Sequence, residues 1–174
     1  MRTLWLLRHA KAAGENPEGD HARPLTGRGE RAMEALAGWA RDASSFAPQL
    51  ALCSTALRAR QSLALLLPAF PRPPEVVYED ALYLAPARRL LNRLRKLPDA
   101  TARVLLVGHN PGLQELALLL ADRAPDTPAE RLAEGFPTAA LAGFECREGW
   151  TALAGHSARL TRLLTPADIE AGRG

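Results

Sequence analysis

Three short, uninterrupted apolar runs constrain this chain more than any other feature: Leu4 to Leu7, Leu50 to Cys53 and Val104 to Val107. None alternates with polar residues, so none suits a sheet with one wet face. Continuous runs of this length belong to strands covered on both sides, as in the parallel sheets of α/β proteins. The stretches between them carry helical spacing. From about Gly27 to Arg41, the residues Met33, Leu36, Ala37 and Ala40 share one face, with Thr26 as the N-cap. A second helix is expected from Leu57 to Leu67, closed by Pro68, and a third from Pro86 to Leu97, with Leu90, Leu91, Leu94 and Leu97 on one side. A fourth runs from Pro111 to Ala121, with proline in the first turn, where its missing N–H costs nothing. Glu75 to Tyr78 adds a strand. Ala139 to Cys146 and Trp150 to His156, joined by Arg147-Glu148-Gly149, read as a hairpin. Strand and helix alternate, which predicts a three-layer α/β fold. Its central, mostly parallel sheet is flanked by helices and ends in an antiparallel edge near the C-terminus.

The 174 residues are expected to form one domain, 1–174, with the tail after about Pro166 frayed. Pro68 to Pro74 and Pro125 to Pro137 read as surface connections. Several function classes drop out on composition. Net charge is only +3, aromatics are 5%, and no Lys/Arg cluster is interleaved with them, so no nucleic-acid partner is expected. No apolar run is long enough to cross a bilayer. The opening apolar stretch is cut short by Arg8-His9, which does not suit a signal peptide. Cys53 and Cys146 lie in apolar runs outside any CxxC pair and read as core residues in a reducing compartment, the cytoplasm. His9, His21, His109, His156 and the cysteines have no ligand-like spacing, so no metal and no cofactor are expected.

The chemistry sits where the strands stop. Leu6-Leu7-Arg8-His9 and Val107-Gly108-His109-Asn110-Pro111-Gly112 each end an apolar run at a histidine. In an open α/β sheet, ligands bind beyond the carboxyl ends of the strands. Gly108, Asn110 and Pro111 are accounted for by turn geometry, but His109 is not. A third unit, Ser54 to Ser62, follows the second strand and opens a helix. Its Arg58 and Arg60 point apart, so only one can reach back over the strand ends. Two histidines and at least one arginine at that edge indicate a site for an anionic group, and phosphate above all.

These units together resemble the histidine phosphatase superfamily, also called phosphoglycerate mutase-like, and within it the short SixA-type phosphohistidine phosphatases. The resemblance runs from Met1 to about Pro166. Arg8-His9-Ala10 is similar to the Arg-His-Gly motif that ends the family's first strand, with alanine in place of glycine, and it implies that His9 is the nucleophile. Ser54 to Ala59 matches the Ser-x-x-x-Arg-Ala segment and selects Arg58; His109 matches the second family histidine. Arg23-Pro24-Leu25-Thr26 resembles a segment of the SixA-like branch, which implies that Arg23 also faces phosphate. The general acid has no matching motif, and Asp20, Glu79 and Asp80 are the candidates.

The implied activity is a metal-independent phosphatase working through a covalent phosphohistidine on His9. Nearby arginines are expected to keep His9 unprotonated and its lone pair free. The expected substrate is phosphohistidine on a protein, because the chain has no length for the extra helical subdomain that covers small substrates in larger relatives. A broad phosphomonoesterase acting on small phosphate esters, and a non-catalytic phosphate-binding module, remain alternatives. Arg88, Arg89, Arg93, Arg95 and Lys96 make the polar side of the third helix basic, as a solvated face or one that steers an acidic partner.

Overall fold

The computed structural model of the chain describes residues 1–122 and 128–173. Its strands are β1 (Arg2–Arg8), β2 (Leu50–Ser54), β3 (Glu75–Glu79), β4 (Arg103–Gly108), β5 (Leu141–Cys146) and β6 (Ala158–Leu164). Its helices are α1 (Gly27–Asp42), α2 (Leu57–Leu66), α3 (Ala87–Leu94), α4 (Gly112–Leu120), α5 (Ala129–Glu134) and α6 (Pro166–Glu170). One six-stranded sheet has the order β3-β2-β4-β1-β5-β6. β1 to β4 pair in parallel, while β5 runs antiparallel to both of its neighbours.

The apolar runs are continuous because the pleat sends successive residues to opposite faces and both faces are covered. Leu4 and Leu6 of β1 pack with Leu90, Leu94, Leu113 and Leu116 of α3 and α4. Trp5 and Leu7 pack on the other side with Met33, Leu36 and Leu63 of α1 and α2. The helix faces lie as the spacing predicts: Met33, Leu36, Ala37 and Ala40 are buried, and Thr26 accepts the Gly29 N–H at 3.1 Å as the N-cap.

Three expectations are corrected. Trp150 to His156 is not the last strand. Trp150 is buried, its indole donates to the Thr101 carbonyl at 2.6 Å, and the chain makes a 3-10 turn there. It then turns at His156, where φ is +60°, and β6 begins only at Ala158. The tail opens with a helical turn, because Thr165 and Asp168 form a reciprocal capping box that starts α6, which ends at Glu170. In the second proline-rich stretch, residues 125–127 lie outside the described residues, and the rest holds α5, anchored by buried Leu132. Among the described residues no helix is long and apolar enough to cross a membrane.

Candidate active site

Register builds the site. β1 and β4 are neighbours, with Arg8 opposite Gly108, so the next residue on each strand is a histidine beside a histidine. The His9 amide donates to the Gly108 carbonyl at 3.1 Å, and the two imidazole centroids lie 5.1 Å apart. β2 flanks β4 on its other side and ends at Ser54, whose Oγ lies 2.7 Å from His109 Nε2. The chain then turns into α2, which carries Arg58 in its first turn, only 1% exposed. Arg60, two residues on, points away and lies over the exposed Tyr78 ring at 5.3 Å.

Hydrogen bonds fix the tautomers. Arg58 Nε donates to His9 Nε2 at 3.3 Å, so Nε2 carries the lone pair, and Nδ1–H donates to the Ala10 carbonyl at 2.8 Å. A second arm of Arg58 reaches His109 Nδ1 at 3.4 Å, leaving Nε2–H of His109 to donate to Ser54. Burial lowers the His9 pKa to about 4, with Arg58, Arg8 and Arg23 adding to the effect. Burial likewise takes His109 to about 3, helped by His9 and Arg58. Both rings are therefore neutral near pH 7. Burial, more than the arginines the sequence pointed to, is the main cause.

The ring of His9 is braced from behind. Ser62 of α2 donates to the Arg58 carbonyl at 2.7 Å and accepts the Ala10 amide at 2.9 Å. That ties the Ala10 peptide to the helix that carries Arg58. Ala10 itself is fully buried in the α1/α2 core, so the methyl that replaces a glycine in the motif fills apolar space.

A cavity of about 280 Å³ lies over these groups. Arg8, Lys11, Arg23 and Arg58 bring four cations to its lining, against the single carboxylate of Asp20. Arg8 is held by the Phe136 carbonyl at 2.9 Å, while its buried Nε has no partner. Asn110 Nδ2 donates to the same carbonyl at 3.0 Å, and Asn110 Oδ1 is also unpartnered. Arg23 Nε donates to Asp20 at 2.9 Å, and Arg58 donates to the Asp20 carbonyl at 2.7 Å and its carboxylate at 3.0 Å. The Tyr83 hydroxyl also donates to that carboxylate. Tyr83 is the chief cause that takes the Asp20 carboxyl down to about 2; burial opposes it and Arg58 assists.

Arg8, His9, Arg23, Arg58, His109 and Asp20 are thus brought together. The other two acid candidates are not among the cavity's lining. Glu79 is clamped by Arg93 at 2.7 to 2.9 Å, and Asp80 accepts the Thr55 hydroxyl at 2.6 Å. Sequence patterns give no role to Tyr83 or Ser62, and give Asn110 only a place in a turn. The contacts that bring them to the site span 63, 52 and 26 residues, which no local pattern shows. Ser54 stood inside the arginine motif, and its position at a strand end was the available signal. Among the described residues no group of three or more His, Cys, Asp or Glu side chains is arranged to hold a metal ion.

Comparison with known proteins places this geometry. The model of the histidine phosphatase superfamily, branch 1, matches residues 4–83. An uncharacterized protein of Mycobacterium tuberculosis H37Rv is 36% identical over 149 residues, covering 83% of this chain and 89% of its own length. Two solved structures are of proteins named as putative phosphohistidine phosphatase SixA. The one from Nakamurella multipartitia is 31% identical with a TM-score of 0.82, over 95% of this chain and 96% of that one. The one from Agrobacterium tumefaciens is 34% identical with a TM-score of 0.76, over 95% and 98%.

Proposed function

This chain belongs to the histidine phosphatase superfamily, in its SixA-like branch, and we propose that it removes phosphate from phosphohistidine on a protein partner, through a covalent phosphohistidine at His9. One observation carries the reading: a buried, neutral histidine, whose Nε2 accepts only a long 3.3 Å hydrogen bond from Arg58, lines a cavity with four cations and one carboxylate. Phosphoryl transfer spreads negative charge over three oxygens and leaves the protein mainly to position and neutralise. Arg8 and Arg58 hold those oxygens, Arg23 closes the rim, and the Nδ1 lone pair of His109 holds one arm of Arg58 in place. The Nε2–P bond forms as the P–N bond to the substrate imidazole breaks. That imidazole, protonated on its other nitrogen, leaves as a neutral ring. Water then attacks phosphorus, the Nε2–P bond breaks, and inorganic phosphate departs.

Asp20 is the one acid candidate at the cavity, and with a pKa of about 2 it is ionised in the free protein. It suits a base that takes the proton of the attacking water better than an acid that supplies one. A phosphoramidate substrate fits such a site, since its leaving group needs no proton from the protein. The exposed Leu84 and Lys11 on the cavity's lining leave room for a bulky partner. The buried free thiols, with Cys53 and Cys146 both pushed up to about 12 by burial, suit the cytoplasm.

The test compares kcat/KM on a phosphohistidine peptide with kcat/KM on p-nitrophenyl phosphate. We expect a ratio above about tenfold in favour of the peptide, a difference of more than about 1.4 kcal/mol in transition-state binding. A ratio below one favours a broad phosphomonoesterase acting on small esters. Tight phosphate binding without turnover of either substrate favours a non-catalytic module.

A further inference from the structure

We propose that the solvent face of α3 docks an acidic region of the phosphohistidine-bearing partner, beside the mouth of the reaction cavity. The proposal rests on the phosphohistidine reading above and adds where the partner sits. Arg88, Arg89, Arg93 and Lys96, with Pro86 and Ala81, line a surface hollow of about 690 Å³. Arg93 is engaged by Glu79. Arg88, Arg89 and Lys96 are exposed and make no ion pair among the described residues. Arg95 lies outside this stripe and donates to the Leu153 carbonyl at 2.7 Å.

Helix stability does not explain Arg88 and Arg89. Arg88 and Arg89 occupy the first turn of α3, which holds no acidic residue, although the helix dipole favours negative charge there. Arg89 and Arg93 are like charges at i, i+4 within the helix, a spacing at which like charges repel. The apolar half of the helix, Leu90, Leu91 and Leu94, is already buried. What remains is a stripe of free cations whose electrostatic complement is a carboxylate-rich surface.

The stripe is also fixed relative to the reaction cavity. Leu84 lines that cavity, is 54% exposed and has φ of +47°. Pro86, two residues on, lines the α3 hollow, and two residues span at most about 7 Å. Gly112, at the start of α4 and three residues after His109, sits where a Cβ would meet the Ala85 carbonyl oxygen at 1.9 Å. That close approach locks the entrance of α3 onto the helix that follows the second histidine. A partner seated on both surfaces would present its phosphorylated ring to His9 and its carboxylates to α3.

The experiment uses two synthetic peptides of about fifteen residues with a central phosphohistidine, one flanked by glutamates and one by lysines. Each flank reaches about 25 Å, beyond the roughly 12 Å length of α3. At low ionic strength the wild type should prefer the glutamate peptide by about tenfold in kcat/KM, through KM, with the preference shrinking as salt is added. R88E/R89E/K96E should abolish that preference while hydrolysing phosphoramidate at the wild-type rate. R88Q/R89Q/K96Q should fall between. Glutamates suit a first helical turn, so thermal unfolding of the reversed variant should occur no lower than in the wild type.

Persistence of the preference in R88E/R89E/K96E would overturn the proposal and assign the preference to the cations of the reaction cavity. Loss of phosphoramidate hydrolysis in that variant would overturn it as well. So would salt-sensitive binding of duplex DNA that vanishes in the variant while the two peptides are treated alike. A wild type inert towards phosphoramidate itself sinks the phosphatase reading, and with it this one.

Discussion

Two regions of the molecule bury charge, and they do so differently. Around α6, the Asp168 carboxylate accepts from the Thr165 amide at 3.0 Å, the Thr165 hydroxyl at 2.8 Å and Arg131 at 2.6 Å, with Arg173 at 3.5 Å on the other oxygen. Burial works against that carboxyl, but Arg131 and Thr165 hold it below the usual range. Both oxygens are satisfied by the chain itself, and the cluster serves to cap a helix. At the carboxyl edge of the sheet, cations outnumber carboxylates four to one, and buried Arg8 Nε and Asn110 Oδ1 have no partner. Buried polar groups are costly when unpaired. A region that keeps an arginine donor open and cations in excess is preorganised for an anionic guest, whereas a closed one is structural.

Substitution should separate the two regions sharply. His9→Ala is expected to lower kcat by about 10⁴-fold or more, since the reaction loses its nucleophile. A variant that still turned over at a tenth of the wild-type rate would place the chemistry elsewhere. Arg58→Ala should cost about 10² to 10³ in kcat, the usual loss of one charge-stabilising donor. Arg131→Ala, a similar arginine-to-alanine change beside the other carboxylate, should leave kcat unchanged. Equal effects of these two would erase the distinction.

Acid should probe the reaction site through stability. His9 and His109 titrate at about 4 and about 3 in the folded chain, against 6.5 for an unperturbed histidine. Between those values the unfolded chain binds protons that the folded chain does not, so stability is full above about pH 6.5 and falls as the pH drops. Lowering the pH from 7 to 4 should cost on the order of 3 kcal/mol through His9 alone. Urea melts of His9→Asn should show a smaller loss over the same range. Identical pH profiles would mean that the ring is not held neutral by its surroundings.

At the other region, Asp168→Ala should lose about 1 to 2 kcal/mol of stability, the cost of a broken cap, with kcat unchanged. The smallest effect is expected in the binding of phosphate when Asp20 is changed. Asp20→Asn removes the charge that competes for Arg23 and Arg58, so inorganic phosphate should bind a few-fold more tightly by calorimetry. Weaker binding would show that the carboxylate assists the anion.

Much of this was legible in the sequence, for identifiable reasons. β1, β2 and β4 were visible because burial on both faces demands unbroken apolar runs. α1 was visible because its core face repeats at helical spacing. β6 was misplaced for the opposite reason. Its buried residues Ala158, Leu160 and Leu163 break the period of two, because the β5/β6 pairing shifts register at Gly143/Phe144. Meanwhile Trp150 to His156 is apolar enough to imitate a strand. The capping box at Thr165 and Asp168 is readable in the sequence as Thr-x-x-Asp, yet the small polar residues after it hide the short helix it starts. His9, Arg58 and His109 could be found because they follow strand ends. The links from Asp20 to Tyr83 and from Ser62 to Ala10 could not, because they exist only once α2 and the segment after β3 are packed.

The most direct test of the central claim is rapid alkaline quench of the wild type with labelled phosphoramidate, followed by peptide mapping. The account predicts an acid-labile, base-stable phosphoryl group on His9, formed and lost at rates that match turnover. Turnover without such an adduct, or with the label on another residue, would contradict it.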